Sequence, residues 1–175
     1  AERMLEGRRS GAAETLLNQS ERMQRQIDYH LARVRSGGSR VGVSTNCRVV
    51  DVLSPLLSAM QRCYPDKTFL SEIAEGILVA MDADDLNEVL SNLLDNAGKW
   101  ANSEIRVKAD GLHILVCDDG PGVATDRREQ VFEIGETGAD ALGGSWLGLA
   151  IARSIARDYG GEITLSASAS GGLCA

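Results

Sequence analysis

Leu16, Ser20, Met23, Ile27, His30 and Val34 recur at alternating steps of four and three. That spacing marks a helix packed along a seam against other helices, not a lone amphipathic face. Glu14, Gln19, Glu21, Arg25 and Arg33 fill the opposite side, so the seam needs a partner: another helix, another copy of the chain, or both. Gly7, Ser10 and Gly11 weaken helix before it. Ser36-Gly37-Gly38-Ser39 then breaks the pattern with a composition suited to a hinge.

Beyond the hinge, helical and strand-like periods alternate. Residues 49–63 place Val49, Val52, Leu53, Leu56, Leu57 and Met60 on one stripe, with Pro55 tolerable in a first helical turn. Short strands are expected at 68–73 and 77–81. Residues 104–109 and 112–117 flank Asp110-Gly111, a two-residue hairpin signal. A helix over 149–159 is stopped by Gly160-Gly161, and 162–165 reads as a further strand. The order predicts an α+β fold: a two-layer α/β sandwich with an antiparallel-leaning sheet, preceded by a long bundle helix. The boundaries are 1–36 for that helix, 37–44 for a linker and 45–175 for the main domain, with its last strand cut short after Gly171-Gly172.

The helix over 83–100 carries two stripes. Leu86, Val89, Leu90, Leu93, Leu94 and Ala97 define a buried face. Glu88, Asn92, Asn96 and Lys99 lie roughly 120° away, bordering the core. Amide oxygens are hard ligands suited to Mg²⁺, and a lysine suits phosphate as a point charge. A solvated polar face is the alternative, and the helix pattern alone favours it. Asp118-Asp119-Gly120-Pro121-Gly122 follows a strand directly. Its glycines let backbone approach a flat ligand, and its carboxylate suits an exocyclic amine such as adenine N6; an ordinary turn is the alternative. Gly143-Gly144-Ser145-Trp146-Leu147-Gly148-Leu149 opens a helix whose free N–H groups suit phosphate. Between the two loops, residues 123–142 read as a lid rich in Gly and Ala.

Composition narrows the class. Of 175 residues 43% are hydrophobic but only 4% aromatic, so the core is built from Leu, Val, Ile and Ala. No apolar run is long enough to span a membrane, and no secretory signal opens the chain. Cys47, Cys63, Cys117 and Cys174 form no CxxC pair, which argues against zinc and disulfides and for reduced thiols in a cytosolic setting. The net charge of −7 is uneven: residues 1–40 hold eight Arg against five acidic residues, and the remainder ten basic against twenty acidic. So acidic a body excludes nucleic acid as a partner.

Two stretches, Asn92-Leu93-Leu94-Asp95-Asn96-Ala97-Gly98-Lys99-Trp100 and Val116-Cys117-Asp118-Asp119-Gly120-Pro121-Gly122-Val123, carry a specific resemblance. With the order of the other motifs, the region from Val41 onward resembles the ATP-binding domain of bacterial two-component sensor histidine kinases. That domain belongs to a superfamily shared with gyrase, Hsp90 and MutL. Residues 26–31 and 128–135 are similar to the PhoQ-type subfamily. The resemblance implies a Bergerat-type ATP-binding fold, with residues 12–36 as the second helix of the dimerisation and phosphotransfer hairpin.

The same resemblance implies roles. Asn96 would ligate Mg²⁺ with Asn92 assisting, Lys99 would meet phosphate, and Asn92 and Lys99 would serve catalysis. Trp100 would pack on adenine and Asp118 bind its amino group. Gly120, Gly122 and Val123 would shape the base pocket, and Gly144, Gly148 and Leu149 the phosphate cradle. The implied partners are ATP or ADP, the phosphoacceptor helix of the same kinase and a response regulator, in a homodimeric full-length protein. The implied place is the cytoplasmic side of an inner-membrane sensor. Hydrolytic relatives carry a glutamate base where this chain has Asn92, which cannot take a proton from water, so kinase is favoured over ATPase.

Three departures stand out. Trp146 replaces a glycine and is expected to obstruct the phosphate loop. Residues 133–152 hold no Lys or Arg, leaving phosphate charge to Mg²⁺, Lys99, backbone donors and Arg153. The family's acceptor histidine is absent, since His30 reads as a seam residue and His113 as part of a strand. A catalytically degenerate nucleotide-binding regulatory module is the alternative reading, and a gyrase-type ATPase a further one.

Overall fold

The computed structural model describes residues 46–110, 113–132 and 147–175. The chain divides between Gly42 and Val43 into two units, and every described residue belongs to the second. The bundle seam with His30, the hinge, the lid beyond Phe132, and Gly143, Gly144 and Trp146 lie outside the described residues.

β1 (Asn46–Arg48) runs into α1 (Val49–Cys63), followed by β2 (Thr68–Glu72) and β3 (Leu78–Ala80). Next come α2 (Ala83–Trp100), β4 (Glu104–Ala109), β5 (Ile114–Asp118) and two 3-10 turns (Thr125–Arg127, Gln130–Phe132). α3 (Leu147–Asp158), β6 (Ser166–Ala167) and β7 (Leu173–Cys174) complete the chain. Among the described residues β1 pairs only with β3. The main sheet has the order β2-β4-β5-β7-β6, with β2 parallel to β4 and every other pairing antiparallel. Ile105, Val107, Val116 and Leu173 point from the sheet into the core, where Val49 and Leu53 of α1, the stripe of α2, and Leu149, Ala152 and Ala156 of α3 meet them. The fold is α+β in two layers, as the periodicity predicts.

α2 forms where its pattern says it should. The Asp82 carboxylate caps it by accepting from the Asp84 N–H at 2.9 Å, and Asp84 and Asp85 favour the positive end of the helix dipole. All six apolar stripe positions are buried, Leu94 completely. Each such leucine contributes about 1.5–3 kcal/mol relative to exposure. α3 ends as expected: Gly160 takes φ of 76° and the Gly161 N–H reaches back to the Ala156 carbonyl at 2.9 Å.

The structure departs from the sequence reading in five places. Pro55 lies well inside α1, not in its first turn; it is exposed, so the Asp51 carbonyl left without a helical donor faces water. The hairpin closes one residue later than expected, because the Asp110 N–H donates to the His113 carbonyl. His113 therefore sits in the connection, exposed and beside Asp110, and not in a strand. Residues 162–165 join no ladder; Ile163 turns into the core and pairing begins at Ser166. The segment after Gly171-Gly172, expected as a strand cut short, forms the two-residue β7 between β5 and β6, where Val116 and Ala175 exchange hydrogen bonds of 2.9 and 3.0 Å.

The last correction concerns sulfur. Cys117 and Cys174 form a disulfide across 57 residues, against the expectation of reduced thiols, while Cys47 and Cys63 are free. Sequence spacing cannot reveal this pair, because sheet register creates it. Val116 and Ala175 form the hydrogen-bonded pair, so Cys117 and Cys174 fall at the adjacent close position, with Cα atoms 4.1 Å apart.

Candidate nucleotide site

The expected site residues lie on α2, the loop after β5 and the first turn of α3, and α2 touches the other two, at Asn92 against Gly148 and at Trp100 against Gly120. On α2, the Asn92 Nδ2 donates to the Glu88 carbonyl at 2.9 Å. Its Oδ1 is thereby presented to the start of α3, where a Cβ built on Gly148 would lie only 2.8 Å away. Asn96 follows one turn later on the same side, half-buried. Lys99 is exposed and paired with Asp95 on its own helix, and Asp95 also accepts from the Tyr64 hydroxyl at 2.7 Å. An incoming phosphate would have to draw the ammonium from that partner. Gly148→Ala is expected to displace the Asn92 amide and weaken Mg-ATP binding by about 1–2 kcal/mol, roughly tenfold, while the fold persists. Calorimetric titration with and without Mg²⁺ measures it; an unchanged affinity would separate Asn92 from the nucleotide.

Asp118, at the end of β5, is only 4% exposed. Its Oδ1 accepts from the Gly120 N–H at 2.8 Å and the Leu173 N–H at 3.2 Å, which leaves Oδ2 for a ligand. Burial raises its pKa above the ordinary aspartate value; the two backbone donors oppose the shift and the neighbouring Asp119 charge adds to it. Around this carboxylate the backbone is packed too closely for side chains. A Cβ on Gly120 would lie 2.3 Å from the Trp100 carbonyl oxygen, and Gly122 has φ of 70° and backs onto Gly172. Trp100 thus borders the loop through its backbone, with its ring half-buried at the end of α2.

Asp119 faces the other way. Its carboxylate accepts from the Asn102 N–H, the Ser103 N–H and, at 2.6 Å, the Ser103 hydroxyl. Desolvation opposes ionisation, but these hydrogen bonds outweigh it and hold the pKa at about 2. Adjacent aspartates therefore make different contacts: Asp119 ties the loop to the α2–β4 connection, and Asp118 ties it to the segment before Cys174.

The remaining expected residues are placed as follows. Val123 packs against the core and accepts from Arg128 Nε at 3.1 Å through its carbonyl. The Leu149 side chain is buried in the core, so only its backbone N–H, in the first turn of α3, is available to phosphate. Arg153 does not supply the missing lid cation: it pairs with Glu129 and Glu162, and its guanidinium lies 4.1 Å over Phe132. Sequence reasoning missed Gly172 and Leu173, which complete the wall behind Asp118, and the anchoring by Ser103. Gly171-Gly172 is visible in the sequence, but nothing local says which loop it packs against.

Among the described residues no cluster of three or more His, Cys, Asp or Glu gathers to hold a metal. Asn92 and Asn96 instead offer neutral amide oxygens, hard donors of the kind Mg²⁺ accepts.

The family model described as histidine kinase-, DNA gyrase B-, and HSP90-like ATPase matches residues 81–175. The chain is 36% identical over 170 residues, 93% of its length, to the virulence sensor histidine kinase PhoQ of Salmonella typhimurium, of which it spans 35%. It is 35% identical over 179 residues, 99% of its length, to the sensor protein kinase CarS of Pseudomonas aeruginosa, of which it spans 40%. The solved structure of the mycobacterial sensor histidine kinase MprB superposes with a TM-score of 0.66 at 25% identity, covering 75% of this chain and 93% of that one. The chain thus spans well under half the length of the curated relatives it matches.

Proposed function

Because the chain belongs to the family of histidine kinase-, DNA gyrase B-, and HSP90-like ATPases, we propose that it is the ATP-binding catalytic unit of a sensor histidine kinase. Its reaction is transfer of the γ-phosphoryl group of ATP to a histidine on a hairpin helix, for relay to a response regulator. One observation carries the reading: the Asp118 carboxylate and the Asn92 amide oxygen each lie against glycines that leave no room for a Cβ. A base and a polyphosphate tail need two such walls.

In this reading Asp118 accepts the exocyclic amino group of adenine, and Gly120 and Gly122 keep the backbone flat beside the ring. The free N–H groups opening α3 receive phosphate oxygens. Asn96 and Asn92 would hold Mg²⁺ through their amide oxygens, and the ion would supply charge neutralisation at the transferring phosphoryl group. Asn92 cannot deprotonate water, and its amide is already spent on Glu88, so the γ-phosphate is kept for an imidazole nucleophile. Lys99 assists once it leaves Asp95. The full-length protein works as a homodimer through its hairpin, with this unit on the cytoplasmic side of the inner membrane, where ATP is present.

Incubation with γ-labelled ATP and a separately supplied first hairpin helix tests the proposal. The expected product is an acid-labile, base-stable label on the histidine of that helix and none on His30 or His113. Rapid release of inorganic phosphate without transfer would overturn kinase in favour of hydrolase.

A further inference from the structure

The disulfide lies immediately beside the proposed base-recognition carboxylate. Cys117 precedes Asp118, and Cys174 follows Leu173, whose N–H donates to Asp118 Oδ1 at 3.2 Å. The covalent bond therefore ties together both sides of that hydrogen bond. The same segment packs Gly172 against Asp118 and Gly120, and the Ser170 hydroxyl reaches the Asp118 carbonyl at 3.3 Å. β7 is also paired with β6, and the Ser168 N–H donates to the Gly172 carbonyl at 2.9 Å, but its hold on β5 is slight. β7 is two residues long, its ladder to β5 is the Val116–Ala175 pair, and Leu173 is its one buried apolar side chain apart from the partly buried end at Ala175. Those few contacts would have to hold β6 and β7 against β5 without a covalent tie.

The sulfurs are also reachable. Cys117 stands opposite Arg106, on the face of the sheet turned away from the helices, and both cysteines are only partly buried. In a compartment that supplies ATP, thiol pools keep most cysteines reduced, and a disulfide there is usually transient or redox-sensing.

We propose that Cys117–Cys174 is a reversible thiol–disulfide exchange site, open to a dithiol reductant of the thioredoxin class, whose state sets affinity for adenine nucleotides. The inference rests on the proposed function for its ligand. In the exchange, a reductant thiolate attacks one cysteine sulfur; a mixed disulfide forms and the other cysteine leaves as a thiolate, which takes up a proton. The second reductant thiol then displaces the first cysteine. Two electrons and two protons pass in all: the protein gains two thiols and the reductant becomes a disulfide. Freed β7 withdraws the Leu173 donor and the Gly172 wall from Asp118, so the binding-competent arrangement becomes a minor population.

The test is calorimetric titration of the chain with ADP, oxidised and after reduction by dithiothreitol, with Cys47→Ser/Cys63→Ser as background. Thiol counting by alkylation confirms the state of each sample. Reduction is expected to weaken binding about tenfold, as when the competent form falls to about a tenth of molecules, and reoxidation to restore it. Cys174→Ser should sit at the weaker value under both conditions, and the Leu173 amide should exchange faster in reduced protein. Equal ADP affinity in oxidised and reduced protein would overturn this inference and leave the proposed function standing. Failure of the oxidised chain to bind any adenine nucleotide would overturn both.

Discussion

Gly172→Ala is expected to lower the stability of the domain by about 3 kcal/mol and to remove measurable nucleotide binding. The added Cβ would lie 2.2 Å from Asp118 Oδ1, 2.4 Å from the Asp118 carbonyl oxygen and 2.6 Å from the Gly120 nitrogen. None of these atoms is the mobile end of a side chain. Two are backbone and the third belongs to a buried carboxylate, so the strain cannot be absorbed by a rotamer change. Either β7 shifts outward and loses the Leu173–Asp118 hydrogen bond, or Asp118 turns away and leaves the Gly120 and Leu173 donors without it. Overpacking alone costs about 1–3 kcal/mol, and a lost hydrogen bond to a charged group adds about 1.5–3 kcal/mol more. Gly76→Ala is the matched control, since its Cβ would meet nothing within 4 Å. Denaturant unfolding and ADP titration of the two variants provide the measurement. A Gly172→Ala protein as stable as the control, with its affinity intact, would mean that the terminal segment is not the wall described above.

What the sequence made legible was local. The buried face of α2 follows from a stripe repeated over about three turns, and the Asn92–Asn96 line falls on the border of the core because helical geometry puts it there. The Asp118–Gly122 loop was readable because its glycines are contiguous with the carboxylate they serve. What stayed hidden depends on pairing between distant segments. Gly172 matters through its approach to Asp118, the disulfide through the register of β5 with β7, and Asp119 through Ser103 on another loop. Arg153 could be weighed as a phosphate ligand only while the positions of Glu129 and Glu162 were unknown. In each case the residue type was plain and its neighbour was not.

Asp118→Asn should weaken ATP binding by about 2–3 kcal/mol, some 30- to 100-fold, without unfolding the protein. The amide can keep its oxygen on the Gly120 and Leu173 N–H groups, which hold that atom now. The position facing the base then becomes an NH₂, a donor set against the donor amine of adenine. Stability responds in the opposite sense. The folded pKa of Asp118 is raised by burial, so the folded state favours the protonated carboxyl, and stability from this group falls as pH rises through the shifted value. A neutral amide removes that penalty, and the variant should be as stable as the wild type near pH 7 or more so. Loss of affinity with stability retained is a combination that simple misfolding cannot produce. For the wild type the same shift has a second consequence: ATP affinity should begin to fall, on acidification, at a higher pH than an ordinary aspartate would give. Base preference supplies the sharpest readout. Inosine triphosphate carries a carbonyl acceptor where adenine carries its amine, so it should bind wild type poorly and gain relative to ATP in Asp118→Asn. If the variant bound ATP as wild type does, or left the ATP-to-inosine triphosphate ratio unchanged, Asp118 would have to be reassigned from base recognition to the structure of the loop alone.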